Sequence, residues 1–272
     1  MKDFVSLGGV SVSVRPKVGL FVTCLVDLHR PNVGFAAIRL LEAAGCEVVV
    51  PPSQVCCGQP AFNSGDHAST RAIARQSIEA FEAADVEYVV APSGSCTGML
   101  REHYPALFVD DAAWEGRARD FASRCHELTA FLVDVLGRAD VAESLAAGYP
   151  GTVTYHDSCA GLRELGVRAQ PRELLAGVAG LELAEMEDTE VCCGFGGTFC
   201  VKFPDISERM ADDKIALAAQ SGAGTLLGGD LGCLLSIGGR LARQGRKMRV
   251  YHVAEVLAGM SDVPAIARPE DD

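Results

Sequence analysis

Cysteine is the residue in this chain whose number and spacing point most directly to chemistry. The sequence has 272 residues and 11 cysteines, and eight of these cysteines form two sets of four with closely similar spacing. Each set has a single cysteine, an adjacent pair, and a fourth cysteine further along the chain. The two sets are Cys24, Cys56, Cys57 and Cys96, and Cys159, Cys192, Cys193 and Cys233. The second set lies 135 to 137 positions after the first, which indicates a duplicated binding site.

Four thiolates in each half are enough to bind one metal ion or one iron–sulfur cluster. Neighbouring side chains of an extended backbone point to opposite sides, so the pair Cys56–Cys57 reaches one small ion only where the backbone bends sharply. Zinc sites usually space their cysteines by about two to four residues, so a doubled cysteine favours a larger multi-iron cluster. Gly58 and Gly194 follow the pairs and allow main-chain N–H groups to approach sulfur closely. Packing of buried cysteines as small apolar side chains is the alternative.

Apolar segments of strand length precede the cysteine groups, with helical patterns between them. The predicted strands cover 18–23, 47–52, 86–92, 152–157, 181–186 and 225–230, and the predicted helices cover 33–44, 68–84, 171–178 and 205–221. Residues 59–65 are predicted to form a loop, and His126 and His252 to begin helices. This alternation predicts an α/β protein with two tandem, similar parallel-sheet β-α-β domains related by pseudo-twofold symmetry. The cysteines would then follow the carboxyl ends of strands, where open α/β sheets bind ligands.

The length and the repeat predict two domains, at residues 17–147 and 148–262. A hydrophobic content of 49% with 22% charged residues is typical of a folded globular chain. The net charge of −12 and the absence of a run of Lys and Arg argue against nucleic acid as a partner. No segment approaches the roughly 18 apolar residues of a spanning helix, and no signal peptide is evident. We therefore expect a cytoplasmic protein without a transmembrane segment, whose cysteines are reduced and bind metal.

Several residues outside the repeat are further candidates. His156 and Asp157 place an imidazole and a carboxylate next to the second site, where they could act catalytically as proton relays. The first half lacks this pair, and a hydrogen-bonded structural role for the histidine is the alternative. Cys200 has no counterpart in the first half and is a candidate for an extra ligand or a redox thiol. Cys46 and Cys125 break the repeat, which favours core packing.

Longer segments around the cysteines resemble a known family. They are CCGQPAFNSGD at 56–66, PSGSC at 92–96, YHDSCAGLRELG at 155–166 and CCGFGGTF at 192–199. With the repeated spacing, these segments resemble the tandem cysteine-rich CCG domain family, which includes the CCG-containing subunit of heterodisulfide reductase and the iron–sulfur subunit of glycolate oxidase. Within that family they are most similar to the members that serve lactate utilization. The resemblance covers about residues 17 to 260.

The resemblance implies an oxidoreductase subunit that is not active alone. It would transfer electrons in a complex that oxidises L-lactate to pyruvate, beside a ferredoxin-like iron–sulfur protein and a third subunit. The implied cofactor is an iron–sulfur cluster, [4Fe-4S], held by the eight repeated cysteines, with zinc as the alternative. A related CCG protein acting on glycolate, succinate or heterodisulfides, and a non-enzymatic zinc-binding scaffold, are the other functions that the residues leave open.

The chain departs from the heterodisulfide reductase relatives at one point in each half. Their full motif ends in C-x-x-C and supplies five cysteines to each cluster, whereas Ser93 and Asp230 occupy the first position of that final pair here. Each half therefore offers four thiolates. An oxygen of Ser93 or Asp230 could complete a cluster, although both are harder donors than iron–sulfur sites usually take. A conventional cubane cluster, a labile cluster and a zinc ion all remain open.

Overall fold

The fold consists of two four-stranded parallel sheets, one in each half of the chain. The computed structural model describes residues 15–268. Its strands are β1 Lys17–Leu20, β2 Glu47–Val49, β3 Tyr88–Ala91, β4 Cys125–Glu127, β5 Gly148–His156, β6 Ala179–Leu183, β7 Thr225–Gly228 and β8 Arg249–His252. The strand orders are β2-β1-β3-β4 and β6-β5-β7-β8, and every neighbouring pair is parallel. The predicted fold class of two tandem, similar parallel sheets is confirmed.

Helices connect the strands in both halves. Those of the first half are α1 Cys24–His29, α2 Pro31–Ala43, α3 Gln59–Asn63, α4 His67–Ala83, α5 Gly94–Gly98, α6 Tyr104–Leu107, α7 Glu115–Ser123, α8 Leu128–Ala130 and α9 Val141–Ser144. Those of the second half are α10 Cys159–Arg163, α11 Ala169–Leu175, α12 Phe199–Lys202, α13 Pro204–Gln220, α14 Leu231–Arg243 and α15 Val253–Leu257. The π-helical segments π1 Met99–His103 and π2 Phe131–Val135 continue α5 and α8. Among the described helices, none has the length and apolar character needed to cross a membrane.

Three short elements differ from the sequence prediction. His126 does not begin a helix, because it lies inside β4 and the next residue, Glu127, caps α8. His252 caps α15 as expected, but it is also the last residue of the unpredicted strand β8. Both strands are only three or four residues long and run directly into a helix, so no alternating pattern could reveal them. The segment predicted as a loop at 59–65 contains the single-turn helix α3, which begins after Gly58 in a left-handed conformation.

The two halves share part of their hydrophobic core. One cluster joins Leu20 and Leu40 of the first half with Val153 and Leu227 of the second, and all four side chains are fully buried. Two further clusters are centred on the individual halves and contain cysteines of the two sets. Strand β5 begins at Gly148, where the second predicted domain begins. Because the core crosses that point, the division at 17–147 and 148–262 stays a prediction.

The two sheets meet near the carboxyl ends of their strands. Ser93, just after β3, and Asp230, just after β7, are equivalent positions of the repeat, and the Ser93 hydroxyl donates to Oδ2 of Asp230 at 3.2 Å. The backbone N–H of Ser95 donates to the same oxygen at 2.8 Å. Nε2 of His252 lies 3.2 Å from the carbonyl oxygen of Pro92. Contact between equivalent residues is what pseudo-twofold symmetry requires, and it places both cysteine-bearing edges next to the junction.

Candidate metal centres

The first cysteine quartet comprises Cys24, Cys56, Cys57 and Cys96, and its thiols form a continuous series of contacts. Cys24 is the first residue of α1, whose amino end is capped by the hydroxyl of Thr23. Its Sγ lies 3.8 Å from Sγ of Cys56. Cys56 also interacts with the thiol of Cys57, which in turn interacts with the thiol of Cys96 in α5. Four residues from three separate loops and helices therefore place their sulfurs together.

The second cysteine quartet comprises Cys159, Cys192, Cys193 and Cys233, and it repeats this arrangement. Cys159 is the first residue of α10, which is capped by the hydroxyl of Ser158. The thiol contacts again run from Cys159 to Cys192, from Cys192 to Cys193, and from Cys193 to Cys233 in α14. The structure thus brings all eight repeated cysteines into two clusters of four. Their role as metal ligands stays a prediction.

Gly58 and Gly194 make the sharp bend that the adjacent cysteines need. Both have positive φ, at +84° and +82°, a conformation that side-chain-bearing residues rarely adopt. A Cβ on Gly194 would also lie 2.5 Å from the carbonyl oxygen of Ser207. Each glycine N–H donates to the first sulfur of the preceding pair, Cys56 or Cys192, at 3.4 Å. The bend therefore turns a main-chain donor toward sulfur in both halves.

Hydrogen bonding inside each quartet concentrates negative charge on one sulfur. The thiols of Cys24 and then Cys57 donate to Cys56 and lower its pKa to about 2, against the opposing effect of burial. The same pattern, from Cys159 and then Cys193, lowers the pKa of Cys192 to about 2. Because a thiolate is the form of cysteine that binds metal, both quartets are arranged to present at least one ready ligand.

His156 and Asp157 lie beside the second quartet but differ in their partners. The His156 ring is 1% exposed, and neither ring nitrogen has a hydrogen-bond partner among residues 15–268. Burial first, and then the charge of Lys214, lowers the pKa of His156 to about 3. Asp157 is held by both terminal nitrogens of Arg172, at 2.8 and 2.9 Å. The two adjacent residues therefore have different partners, and their predicted role as proton relays stays a prediction.

A buried lysine near the second quartet was missed from the sequence. Lys214 of α13 is fully buried, and its Nζ donates to the carbonyls of Thr189 at 2.8 Å and Asp188 at 3.2 Å. Burial lowers its pKa, and the sulfur of Cys193 acts in the opposite direction. The available signal was its position in α13, on the same face as the buried residues Ala211, Ile215 and Ala218.

Ser93 and Asp230 already have partners within the protein. Each caps the helix that carries the last cysteine of its quartet: Ser93 Oγ accepts from the N–H of Cys96 at 3.3 Å, and Asp230 Oδ1 accepts from the N–H of Gly232 at 3.2 Å. With the bond between the two side chains, these contacts give both residues a capping role at the junction. Whether either oxygen also binds metal stays a prediction for experiment.

The remaining cysteines lie in different surroundings. The thiol of Cys200 in α12 donates to the carbonyl oxygen of Gly197 at 3.2 Å, and it lines a surface cavity of about 310 Å³ together with Arg240. Its predicted role as an extra ligand or a redox thiol stays a prediction. Cys46 and Cys125 are 2% and 0% exposed and pack in the cores, as the sequence analysis expects.

The donor sets of both quartets fit an iron–sulfur cluster. Four convergent sulfurs in each half supply soft ligands, and the N–H groups of Gly58 and Gly194 provide the hydrogen bonds to sulfur that tune such clusters. The unpartnered ring of His156 adds a nitrogen donor in the second half. Zinc would also accept four thiolates, and the donor atoms by themselves do not separate the two metals.

The CCG cysteine-rich domain family matches this chain twice, at residues 18–101 and 153–238, and the chain belongs to that family. Three relatives named lactate utilization protein A are similar over most of their length. The protein of Exiguobacterium sp. is 52% identical over 242 residues, which is 89% of this chain and 97% of the relative. That of Bacillus cytotoxicus is 51% identical over 245 residues, 90% of this chain and all of the relative. That of Bacillus subtilis is 50% identical over 241 residues, 89% and 98% respectively. The family resemblance stated from the motifs is confirmed.

Proposed function

We propose that this chain is an iron–sulfur redox subunit of a system that oxidises L-lactate to pyruvate. The observation that carries the proposal is the convergence of two cysteine quartets with the same contacts, in a chain about half identical to lactate utilization proteins A. Cys24, Cys56, Cys57 and Cys96 would hold one cluster, and Cys159, Cys192, Cys193 and Cys233 the other. When bound, such clusters accept and release single electrons.

The protein's own residues shape the two binding sites. Gly58 and Gly194 orient the adjacent cysteines and donate hydrogen bonds to sulfur, and the caps Thr23 and Ser158 fix the helices that begin with Cys24 and Cys159. The shared core and the hydrogen bond between Ser93 and Asp230 fix the positions of the two quartets relative to each other. We assign [4Fe-4S] as the cluster type because doubled cysteines favour a multi-iron group over one ion.

Oxidation of L-lactate to pyruvate releases two electrons and two protons. One component must oxidise the substrate, and others must accept the electrons and protons. The sequence contains no Gly-x-Gly-x-x-Gly dinucleotide motif. We therefore assign the substrate oxidation to a partner and electron transfer to this chain. The partners we propose are a ferredoxin-like iron–sulfur protein and a third subunit. Cytoplasmic localisation, where thiols stay reduced, completes the proposal.

Deletion of the gene followed by growth on L-lactate tests this function. In a host without a second lactate oxidase, we expect the deletion strain to fail on L-lactate and to grow on pyruvate. The wild-type gene should restore growth, and so should a Cys125→Ser gene, because Cys125 is outside the repeated set and its thiol donates to the carbonyl oxygen of Phe121 rather than to a quartet sulfur. A gene carrying Cys56→Ser and Cys192→Ser should not. Normal growth of the deletion strain on L-lactate would exclude the lactate assignment.

The same strains separate the related functions. Growth lost on glycolate or succinate, but kept on L-lactate, would assign the chain to a different substrate of the same redox class. A zinc-binding scaffold would be indicated by two results together: growth that survives substitution of both quartets, and wild-type protein that is colourless and contains zinc.

A further inference from the structure

His156 is a buried polar side chain whose hydrogen-bonding capacity is unused by the protein. It is 1% exposed, and both Nδ1 and Nε2 lack a partner among residues 15–268. Leaving a buried polar group without a hydrogen-bond partner is costly, so an imidazole with two unpaired nitrogens requires an explanation. The ring lies at the end of β5, three residues before Cys159.

The ring faces the second cysteine quartet. A nitrogen of His156 and the sulfurs of Cys193 and Cys233 all lie within 4.8 Å of one another. This spacing is close enough for the three atoms to share one metal ion or one edge of a cluster. Imidazole nitrogen is a common ligand of both iron and zinc, and histidine replaces cysteine in some iron–sulfur centres.

The charged neighbours of His156 are committed elsewhere. The carboxylate of Asp157 is bound by Arg172. The ammonium of Lys214 donates to the carbonyls of Asp188 and Thr189. Neither group hydrogen-bonds to the imidazole, so the surrounding side chains do not account for its orientation.

The first half has no equivalent donor. Phe21 stands three residues before Cys24, as His156 stands three residues before Cys159, and it is fully buried in an apolar cluster. In the first half a phenyl ring, which has no nitrogen, therefore fills this position. The imidazole of His156 differs from that phenyl ring in offering nitrogen donor atoms.

We propose that His156 is a nitrogen ligand of the second metal centre, beside Cys193 and Cys233, whereas the first centre is bound by thiolates only. This inference rests on the proposed function of the quartets as metal sites. The bond formed is a dative bond from a neutral ring nitrogen to the metal, and it gives that nitrogen the partner that the protein does not supply. The two centres are then chemically distinct within one chain.

Pulsed electron paramagnetic resonance of the reduced, anaerobically purified full-length protein tests this directly. Protein labelled with ¹⁵N-histidine should show one strongly coupled nitrogen, and His156→Phe, which copies the first half, should abolish it. His126→Phe is the matched control, because His126 packs against Tyr88 and Phe131. It should leave the coupling unchanged. His156→Cys keeps a soft ligand and should retain the cluster without the nitrogen signal, which guards against a His156→Phe variant that fails to fold.

The outcomes distinguish this inference from the proposed function. Iron present in both centres without strong nitrogen coupling would overturn the role of His156 and leave the clusters in place. Protein that binds zinc without iron would refute the cluster assignment. X-ray absorption of that zinc protein would then test the role of His156. The inference requires a nitrogen ligand of zinc that is lost in His156→Phe. It fails if every ligand is sulfur.

Discussion

The two halves of this protein hold their cysteines in the same way and surround them differently. Both quartets combine a helix-starting cysteine, a bent adjacent pair with a glycine donor, and a cysteine in the helix after the third strand. The eleventh residue of the long helix is Ser77 in α4 and Lys214 in α13, and both are fully buried. In the first half Tyr104 donates to the carbonyl oxygen of Cys57 at 3.0 Å, and residues 148–268 contain no equivalent bond to Cys193.

This difference indicates that duplication preserved the binding frame while the neighbouring residues diverged. Around the first quartet, the hydroxyls of Ser77 and Tyr104 and the ring of Phe21 carry no charge. Around the second, a buried ammonium and an unpartnered imidazole introduce charge and a nitrogen donor. Equal frames should bind equal cofactors, and unequal surroundings should give them unequal reduction potentials.

Loss of the first cysteine of an adjacent pair should have the largest effect, and it tests whether the two quartets bind equivalent clusters. Cys56→Ser and Cys192→Ser should each remove about half of the iron, because each cluster takes about four iron atoms and loses the sulfur that its neighbours hydrogen-bond. Iron and sulfide analysis with visible absorption measures this. Cys125→Ser should leave the iron unchanged, and iron that survives both quartet substitutions would refute the assignment.

The helix caps at the junction give the two halves opposite dependence on pH. Glu127 heads α8, and its counterpart His252 heads α15. Burial raises the pKa of Glu127 from 4.5 to about 7, so its proton stays on in the folded chain and is lost from the unfolded one across that range. Glu127 therefore contributes stability that is present below pH 4.5 and is lost as the pH rises to 7. Burial lowers the pKa of His252 from 6.5 to about 4, so its contribution is lost as the pH falls through that range.

Glu127→Gln should remove the first of these slopes. Relative to the variant, the wild-type free energy of unfolding should fall by about 3 kcal/mol between pH 4.5 and pH 7. Anaerobic chemical denaturation at several pH values measures the difference. Glu173→Gln makes the same change of charge on the exposed surface of α11 and is the matched control. Parallel pH profiles for wild type and Glu127→Gln would contradict the burial argument.

Lys214→Met should sharpen the contrast between the centres. The buried ammonium favours the more negative, reduced form of the second centre, so its removal should lower that centre's reduction potential by on the order of 100 mV. Redox titration followed by electron paramagnetic resonance measures each centre separately. Ser77→Ala is the matched first-half variant and should shift its own centre far less. Equal shifts in both centres after Lys214→Met would mean that the charge does not act locally.

Asp230→Ala should weaken the junction without removing metal. It deletes the cap of α14 and the acceptor for Ser93 and Ser95. We expect a loss of about 1–3 kcal/mol in the free energy of unfolding, with a smaller loss for Asp230→Asn, which keeps an acceptor oxygen. Iron content should stay at the wild-type value. Loss of iron from the second centre in a folded Asp230→Ala protein would instead identify Asp230 as a ligand.

The sequence predicted the parts of this structure that follow from local pattern and from repetition. Strands β1, β3, β5 and β7 are apolar runs that end just before the predicted cysteine positions, and the repeat showed which cysteines belong together. Strands β4 and β8 escaped prediction because three or four buried residues carry no period. Ser93 and Asp230 are 137 positions apart in the sequence, and their hydrogen bond depends on how the two sheets pack against each other. The burial of Lys214 also depends on tertiary packing. The bond leaves no local signal in the sequence, and the only signal for Lys214 is its helical spacing from the buried apolar residues of α13.

Iron and acid-labile sulfide in anaerobically purified wild-type protein test the central claim most directly. Two clusters, each with about four iron atoms and four sulfides, predict about eight of each per chain in brown protein. Colourless protein with about one zinc ion per quartet and no sulfide would contradict the account.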